Sequence, residues 1–185
     1  MDSQVAVKLL HDQLTDELVI SSLGTPSHLL HHAGHRPYNF YMRSAMGLAS
    51  CVGLGLAIAR PDRRVVILDG DGAALMNLSS MVTVGWKAPK NLTWLVLENQ
   101  LFLETGGQTI AAGRTTDIAG VGRSCGLTAT AAHDEEDLTS AIQKALTEPG
   151  PNLIVARVGP DSVRSPIPAD AVRIKHAFMD ALGTS

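Results

Sequence analysis

Val65-Val66-Ile67-Leu68-Asp69-Gly70-Asp71-Gly72-Ala73-Ala74-Leu75-Met76-Asn77 begins as a buried strand, breaks in a turn and resumes as a helix. Four apolar, mostly β-branched residues follow the basic pair Arg63-Arg64, the pattern of a strand covered on both faces. Gly70 and Gly72 flank one carboxylate, so the backbone can turn sharply and leave room for a close approach. A helix N-terminus after that turn offers free N–H groups to an anion. A carboxylate beside an anion site is poorly placed unless a cation lies between them. The local chemistry therefore points to a metal bridging Asp71 to a phosphate, with Mg²⁺ the natural candidate.

Working outward, strands alternate with helices. On the N-terminal side lie a helix over 2–15, a strand at Leu18-Val19-Ile20 and a turn through Gly24-Thr25. Pro26 can then open a short helix. An extended piece at 39–42 precedes a helix of small residues over 45–59. Past the opening strand (64–69) come a helix from Asn77 to Trp86, a buried strand over 91–97 and a glycine-paired loop through Gly106-Gly107. A helix over 117–125, a strand at 127–130, a helix over 135–147 capped by Asp134 and a strand over 153–158 follow. The order predicts an α/β fold: a three-layer, doubly wound parallel sheet with helices on both faces. Ser22–Thr25, Asp69–Ala74 and Asn99–Gly107 would sit at the C-terminal ends of strands, where such sheets bind ligands. Gly53-x-Gly55 imitates a dinucleotide loop, but it precedes a strand and has Ile58 at the third glycine position.

The 185 residues suit a single domain over 1–185, with 159–185 a proline-spaced linker and a C-terminal helix over 169–182. A net charge of −3 without a long basic run gives no electrostatic case for nucleic acid or an anionic membrane. Seven aromatic residues argue against a base-stacking surface. No leader-like N-terminus and no run of about 18 apolar residues appears, and Cys51 and Cys125 read as buried thiols, so a cytoplasmic setting is expected. His28, His31, His32 and His35 include two i, i+4 pairs that could suit zinc. Gly34 and Pro37 break a helix there and no Cys or carboxylate is near, so a ligand-facing loop is the expectation.

Asp71 and Asn99 are hard oxygen donors one step past two buried strands, and neighbouring strands would bring them onto one cation. Gly70-Asp71-Gly72, 25 residues and then Glu98-Asn99 resemble the metal-binding motif of thiamine diphosphate enzymes, in their diphosphate-binding domain. Ser44-Ala45-Met46-Gly47-Leu48-Ala49 and Thr105-Gly106-Gly107-Gln108 are similar to runs in sulfopyruvate and phosphonopyruvate decarboxylases. The resemblance implies Mg²⁺ held by Asp71, Asn99 and the Leu101 carbonyl, and a diphosphate on Gly72, Ala73 and the Gly24-Thr25 turn. It implies that Met46 bends thiamine diphosphate, that the Ser44 carbonyl accepts from its amino group, and that Leu103 and Glu104 reach the substrate end. Arg43-Ser44-Ala45 stands where those relatives have a Gly-Ser pair, and Glu98 where the family often has Asn or Asp. The activating glutamate of the family lies on a separate pyrimidine-binding domain, for which this chain has no room. The resemblance therefore implies the β subunit of a split 2-oxo acid decarboxylase, completed by an α subunit that pairs through an exposed face such as the 45–59 helix.

Glu104 and His28 are the candidate catalytic groups, Glu104 as a proton relay and His28 for anion contact or acid–base work. A solvated loop carboxylate is the other reading of Glu104. An apolar Leu103 and an anionic Glu104 suit a sulfonate or phosphonate substrate poorly. A carboligase subunit making acyloin or acetolactate-type products is the alternative within the family. Asp69-x-Asp71 also resembles the nucleophile motif of haloacid-dehalogenase phosphatases, although the later Lys and acidic pair are missing. A cofactor-binding subunit without turnover is the non-enzymatic alternative.

Overall fold

The computed structural model describes residues 1–161 and 163–184. Six parallel strands form one sheet: β1 (Leu18–Ser21), β2 (Asn39–Tyr41), β3 (Val65–Gly70), β4 (Leu92–Glu98), β7 (Thr128–Ala132) and β8 (Asn152–Arg157), in the order β2-β1-β3-β4-β8-β7. A two-residue antiparallel hairpin, β5 (Leu101–Phe102) with β6 (Gln108–Thr109), leaves the end of β4. β3 and β4 are buried along nearly their whole length, which is why their residues are apolar without alternation. The helices are α1 (Ser3–Gln13), α2 (Thr25–Ala33), α3 (Ala49–Ala59), α4 (Asp71–Met76), α5 (Ser80–Lys87), α6 (Ile118–Ser124), α7 (Glu135–Thr147) and α8 (Ala171–Ala181).

Two cores result. α1, α2 and α7 bury Val7, Leu10, Leu30 and Leu138 against Val66, Leu68 and Leu95 on one face. α3, α5 and α6 bury Leu54, Met81, Val84 and Ile118 against Ile67 and Trp94 on the other. Phe178 of α8 stacks edge-on with Phe40 and covers the β2 edge. The predicted three-layer parallel sheet is therefore present. The chain first moves outward from β1 to β2 and then returns to lay β3 on the other side of β1. This reversal opens a crevice between β1 and β3, where ligands bind in sheets of this kind.

Two predicted helices are corrected. The helix expected over 45–59 begins only at Ala49, because Ala45 (φ 65°) and Gly47 (φ 83°) take the left-handed conformation. A Cβ at Gly47 would meet the Ala73 carbonyl oxygen at 3.3 Å, so the turn carrying Met46 is pressed against α4. The helix expected from Asn77 to Trp86 begins only at Ser80, as α5, because residues 77–79 form a turn that separates it from α4. The Asn77 side chain leaves the helical pattern to donate to the Gly47 carbonyl at 2.9 Å. The cysteines also depart from expectation: Cys51 is exposed and Cys125 half-buried. Cys51 lies on α3, whose inner side is packed on β3 at Gly53, so its own side points outward. No helix among the described residues is long and apolar enough to cross a membrane.

Candidate functional site

At the crevice between β1 and β3 a cavity is lined by Ser22 and Thr25 after β1, Gly70 to Ala73 after β3, and Asn99 after β4. Met46, Leu101, Phe102, Leu103 and Glu104 complete its wall. Gly70 stands beside Leu97 in the β3–β4 register, so the two strands deliver Asp71 and Asn99 to one end of the sheet.

Asp71 opens α4 and is almost wholly buried, at 2% exposure. Its Oδ1 accepts the Gly72 N–H at 2.8 Å and its Oδ2 the Gln100 N–H at 2.6 Å. Gln100 reaches that position with φ 67°, so the turn after β4 wraps onto this carboxylate. Among the described residues no Lys, Arg or His forms an ion pair with Asp71. Burial, opposed by those backbone hydrogen bonds and assisted by the charge of Glu98, pushes its pKa up to about 6. An ionised Asp71 here lacks a positive neighbour and retains lone pairs to give. Asn99 accepts the Leu101 N–H at 2.9 Å through Oδ1. Glu98, by contrast, points to Arg157, 2.5 Å away, so its charge is matched outside the cavity.

Close backbone packing shapes the remaining wall. Gly72 lies flat against the Phe102 ring, and any Cβ there would run into it. Gly24 has φ 78°, and a Cβ would meet Glu104 Cγ at 2.8 Å. The start of α2 carries no side-chain cap, which leaves N–H groups of its first turn free.

Of the residues singled out in the sequence, Thr25, Met46, Gly70, Asp71, Gly72, Ala73, Asn99, Leu101, Leu103 and Glu104 all line this one cavity. Gly24 stands just behind it, against Glu104. Ser44 is exposed on the turn before Met46 and lies outside the lining. His28 is a correction: it sits on α2 rather than in a ligand-facing loop, and it does not line the cavity. Helix geometry turns it toward the C-terminal segment, where its Nδ1 lies 3.0 Å from the Ser165 carbonyl. His31 likewise meets Ser165 Oγ at 2.5 Å. Asp69 is fully buried, and burial pushes its pKa up to about 7. A carboxyl enclosed in the sheet and absent from the cavity lining cannot reach a phosphate ester, so the phosphatase reading falls.

Glu104 is tied at both oxygens, accepting from Thr25 Oγ1 at 3.1 Å and from Arg164 Nη2 at 3.1 Å. It is therefore not a free loop carboxylate. Arg164 was not singled out in the sequence; it lies in a proline-spaced stretch 60 residues from Glu104, and nothing local marks it. α3 with the preceding Leu48, and α5, present Leu48, Val52, Ile58, Val82 and Trp86 to solvent, Trp86 at 74% exposure. α3 is apolar on its outer side as well as its inner one, the pattern of a helix covered from both sides.

The chain matches the family model described as "Thiamine pyrophosphate enzyme, C-terminal TPP binding domain" over residues 23–156. It is 37% identical to the sulfopyruvate decarboxylase subunit beta of Methanococcus maripaludis, covering 95% of each chain. It is 39% identical to the phosphonopyruvate decarboxylase of Streptomyces viridochromogenes, over 93% of this chain and 44% of that longer one. A putative thiamin diphosphate-dependent enzyme from Mycobacterium smegmatis superposes with a TM-score of 0.70 at 20% identity, over 86% of this chain and 32% of the other.

Proposed function

The chain belongs to the thiamine pyrophosphate enzymes, through their C-terminal cofactor-binding domain, and from that premise we propose that it is the diphosphate- and Mg²⁺-anchoring β subunit of a two-chain 2-oxo acid decarboxylase. The observation that carries this reading is Asp71: a buried carboxylate without a cationic partner among the described residues, beside Asn99 and next to bare N–H groups, at the sheet's switch point. The donor set fits the group. Asp71 and Asn99, with the Leu101 carbonyl, are all oxygen donors, as Mg²⁺ demands, and the cavity lining holds no thiol or imidazole. The N–H groups of Gly72, Ala73 and the first turn of α2 would take the diphosphate.

When bound, thiamine diphosphate supplies the electron sink that takes up the electron pair released as CO₂ leaves. The protein residues do the rest. Met46, whose turn is held by the Asn77 side chain on the Gly47 carbonyl, would back the cofactor. The Ser44 carbonyl is the proposed acceptor for the cofactor's amino group. Leu101, Phe102 and Leu103 form an apolar wall that would limit water at the substrate end. Glu104, joined to Thr25 Oγ1, would hold or pass a proton at the substrate end.

Relatives of matching length named as beta subunits support a separate α subunit as partner, and their names support a 2-oxo acid with a second acidic group as substrate. The apolar outer face of α3 and α5 supports docking of that partner there. The test is CO₂ release from sulfopyruvate, phosphonopyruvate and pyruvate, with the chain alone and with its partner. Release is expected only from the combined chains, and only with thiamine diphosphate and Mg²⁺ present. Release by the chain alone, or from none of the three by the complex, refutes the reading.

A further inference from the structure

The cavity wall contains two carboxylates, Asp71 and Glu104, and neither lysine nor arginine. With Asp71 given to the metal, Glu104 is the wall carboxylate that a substrate with two acidic groups would face. Among the described residues, the cation that forms an ion pair with a lining residue is Arg164, itself outside the lining, in the segment between β8 and α8. Its Nη2 donates to Glu104 Oε2 at 3.1 Å, and its Nη1 lies 3.3 Å from His28 Nε2. His28 Nδ1 in turn lies 3.0 Å from the Ser165 carbonyl oxygen and 3.1 Å from the Ser165 nitrogen, so the ring bridges Arg164 to the backbone beside it. Ser165 also bonds His31, and Ile167 beyond it is buried, so the backbone that carries Arg164 is fastened onto α2.

The side chain itself is 75% exposed. An ion pair this open contributes little to stability, so stability does not explain it. A guanidinium has five N–H donors in a rigid fork, and the contacts to Glu104 and His28 leave others unused. Bidentate recognition of a tetrahedral oxyanion is what such a fork suits best.

We propose that Arg164 is a specificity-determining residue that binds the second acidic group of the substrate, a sulfonate or phosphonate, while Glu104 and His28 position its guanidinium at the cavity mouth. The inference rests on the decarboxylase reading above. It also removes the misfit between Glu104 and an anionic substrate, because the Glu104 charge is already matched.

The test uses the complex with its partner, loaded with thiamine diphosphate and Mg²⁺, as wild type, Arg164→Ala and Arg164→Lys. The ratio of kcat/KM for sulfopyruvate, and separately for phosphonopyruvate, to that for pyruvate is expected to fall at least tenfold in Arg164→Ala, mainly through KM. Arg164→Lys is expected to restore part of it. Comparing the two acids shows which oxyanion the fork prefers. Calorimetric binding of 3-sulfopropionate, set against propionate, gives a readout independent of turnover, and the same tenfold selective loss is expected. Equal losses for all substrates, unchanged ratios, or sulfopropionate that binds wild type no more tightly than propionate overturn the proposal. A wild-type complex that decarboxylates none of the acids refutes the functional reading instead, and the sulfopropionate titration still decides Arg164.

Discussion

Gly53 and Gly55 lie two residues apart on α3, and alanine at each should act in opposite directions. Gly53 faces the sheet. A Cβ there would fall 2.7 Å from Ile67 Cδ1 and nearer still to Cγ1. Ile67 is fully buried on β3 between Ile20 of β1 and Trp94 of β4, so it has little freedom to yield. Alanine gains about 1 kcal/mol of helix propensity over glycine, but forcing an atom into such a core costs about 1–3 kcal/mol. Because the contact is with the first branch of Ile67 and not with a flexible tip, the upper part of that range applies. Gly53→Ala should thus lose about 1–2 kcal/mol net. At Gly55 a Cβ meets no atom within 4 Å, so only the propensity term acts. Gly55→Ala should gain about 1 kcal/mol. The two variants should differ by roughly 4–12 °C in Tm, at about 2–4 °C per kcal/mol for a chain of this size. Urea unfolding followed by circular dichroism checks this, with the midpoint moving and the slope unchanged. Two variants that shift alike would refute the close seating of α3 on β3, and with it the small-residue explanation of this helix.

Other outcomes are accessible to simple assays. Asn91 Nδ2 lies within 3.1 Å of the carbonyls of Ala57, Arg60 and Arg63, closing the end of α3; Asn91→Leu should cost about 1–2 kcal/mol in urea unfolding. Cys51 is exposed beside Leu48 and Val52, so in the isolated chain it should react with a thiol reagent well before half-buried Cys125. Docking of the partner on that face should slow the Cys51 reaction at least tenfold, and an unchanged rate would place the partner elsewhere.

The strands were legible because each has a plain physical signature. Val65–Leu68, Trp94–Leu97 and Leu153–Ala156 are apolar runs that only a doubly covered sheet can bury. Asp71 and Asn99 were legible for the same reason: they follow two such runs, and neighbouring strand ends converge. The helix errors at 45–48 and 77–79 share one cause. Local composition there is helical, but the Asn77–Gly47 hydrogen bond, which joins residues 30 apart, overrides it. Similarly, the i, i+4 spacing of His28 with His32 and of His31 with His35 could suit zinc, whereas His28 and His31 meet Ser165, 134 or more residues away. Strand order and the Glu104–Arg164 link were out of reach for this reason too, since only the folded sheet brings those segments together.

The central claim is that Asp71 anchors a metal-bridged diphosphate. Its most direct test is a calorimetric titration of thiamine diphosphate into the complex of this chain with its partner, with Mg²⁺ and with EDTA, for wild type and Asp71→Ala. Mg²⁺-dependent binding is predicted for wild type and at least a hundredfold loss for Asp71→Ala, with the circular dichroism spectrum of the fold retained. Equal affinity in the two proteins, or wild-type binding that ignores EDTA, would contradict it.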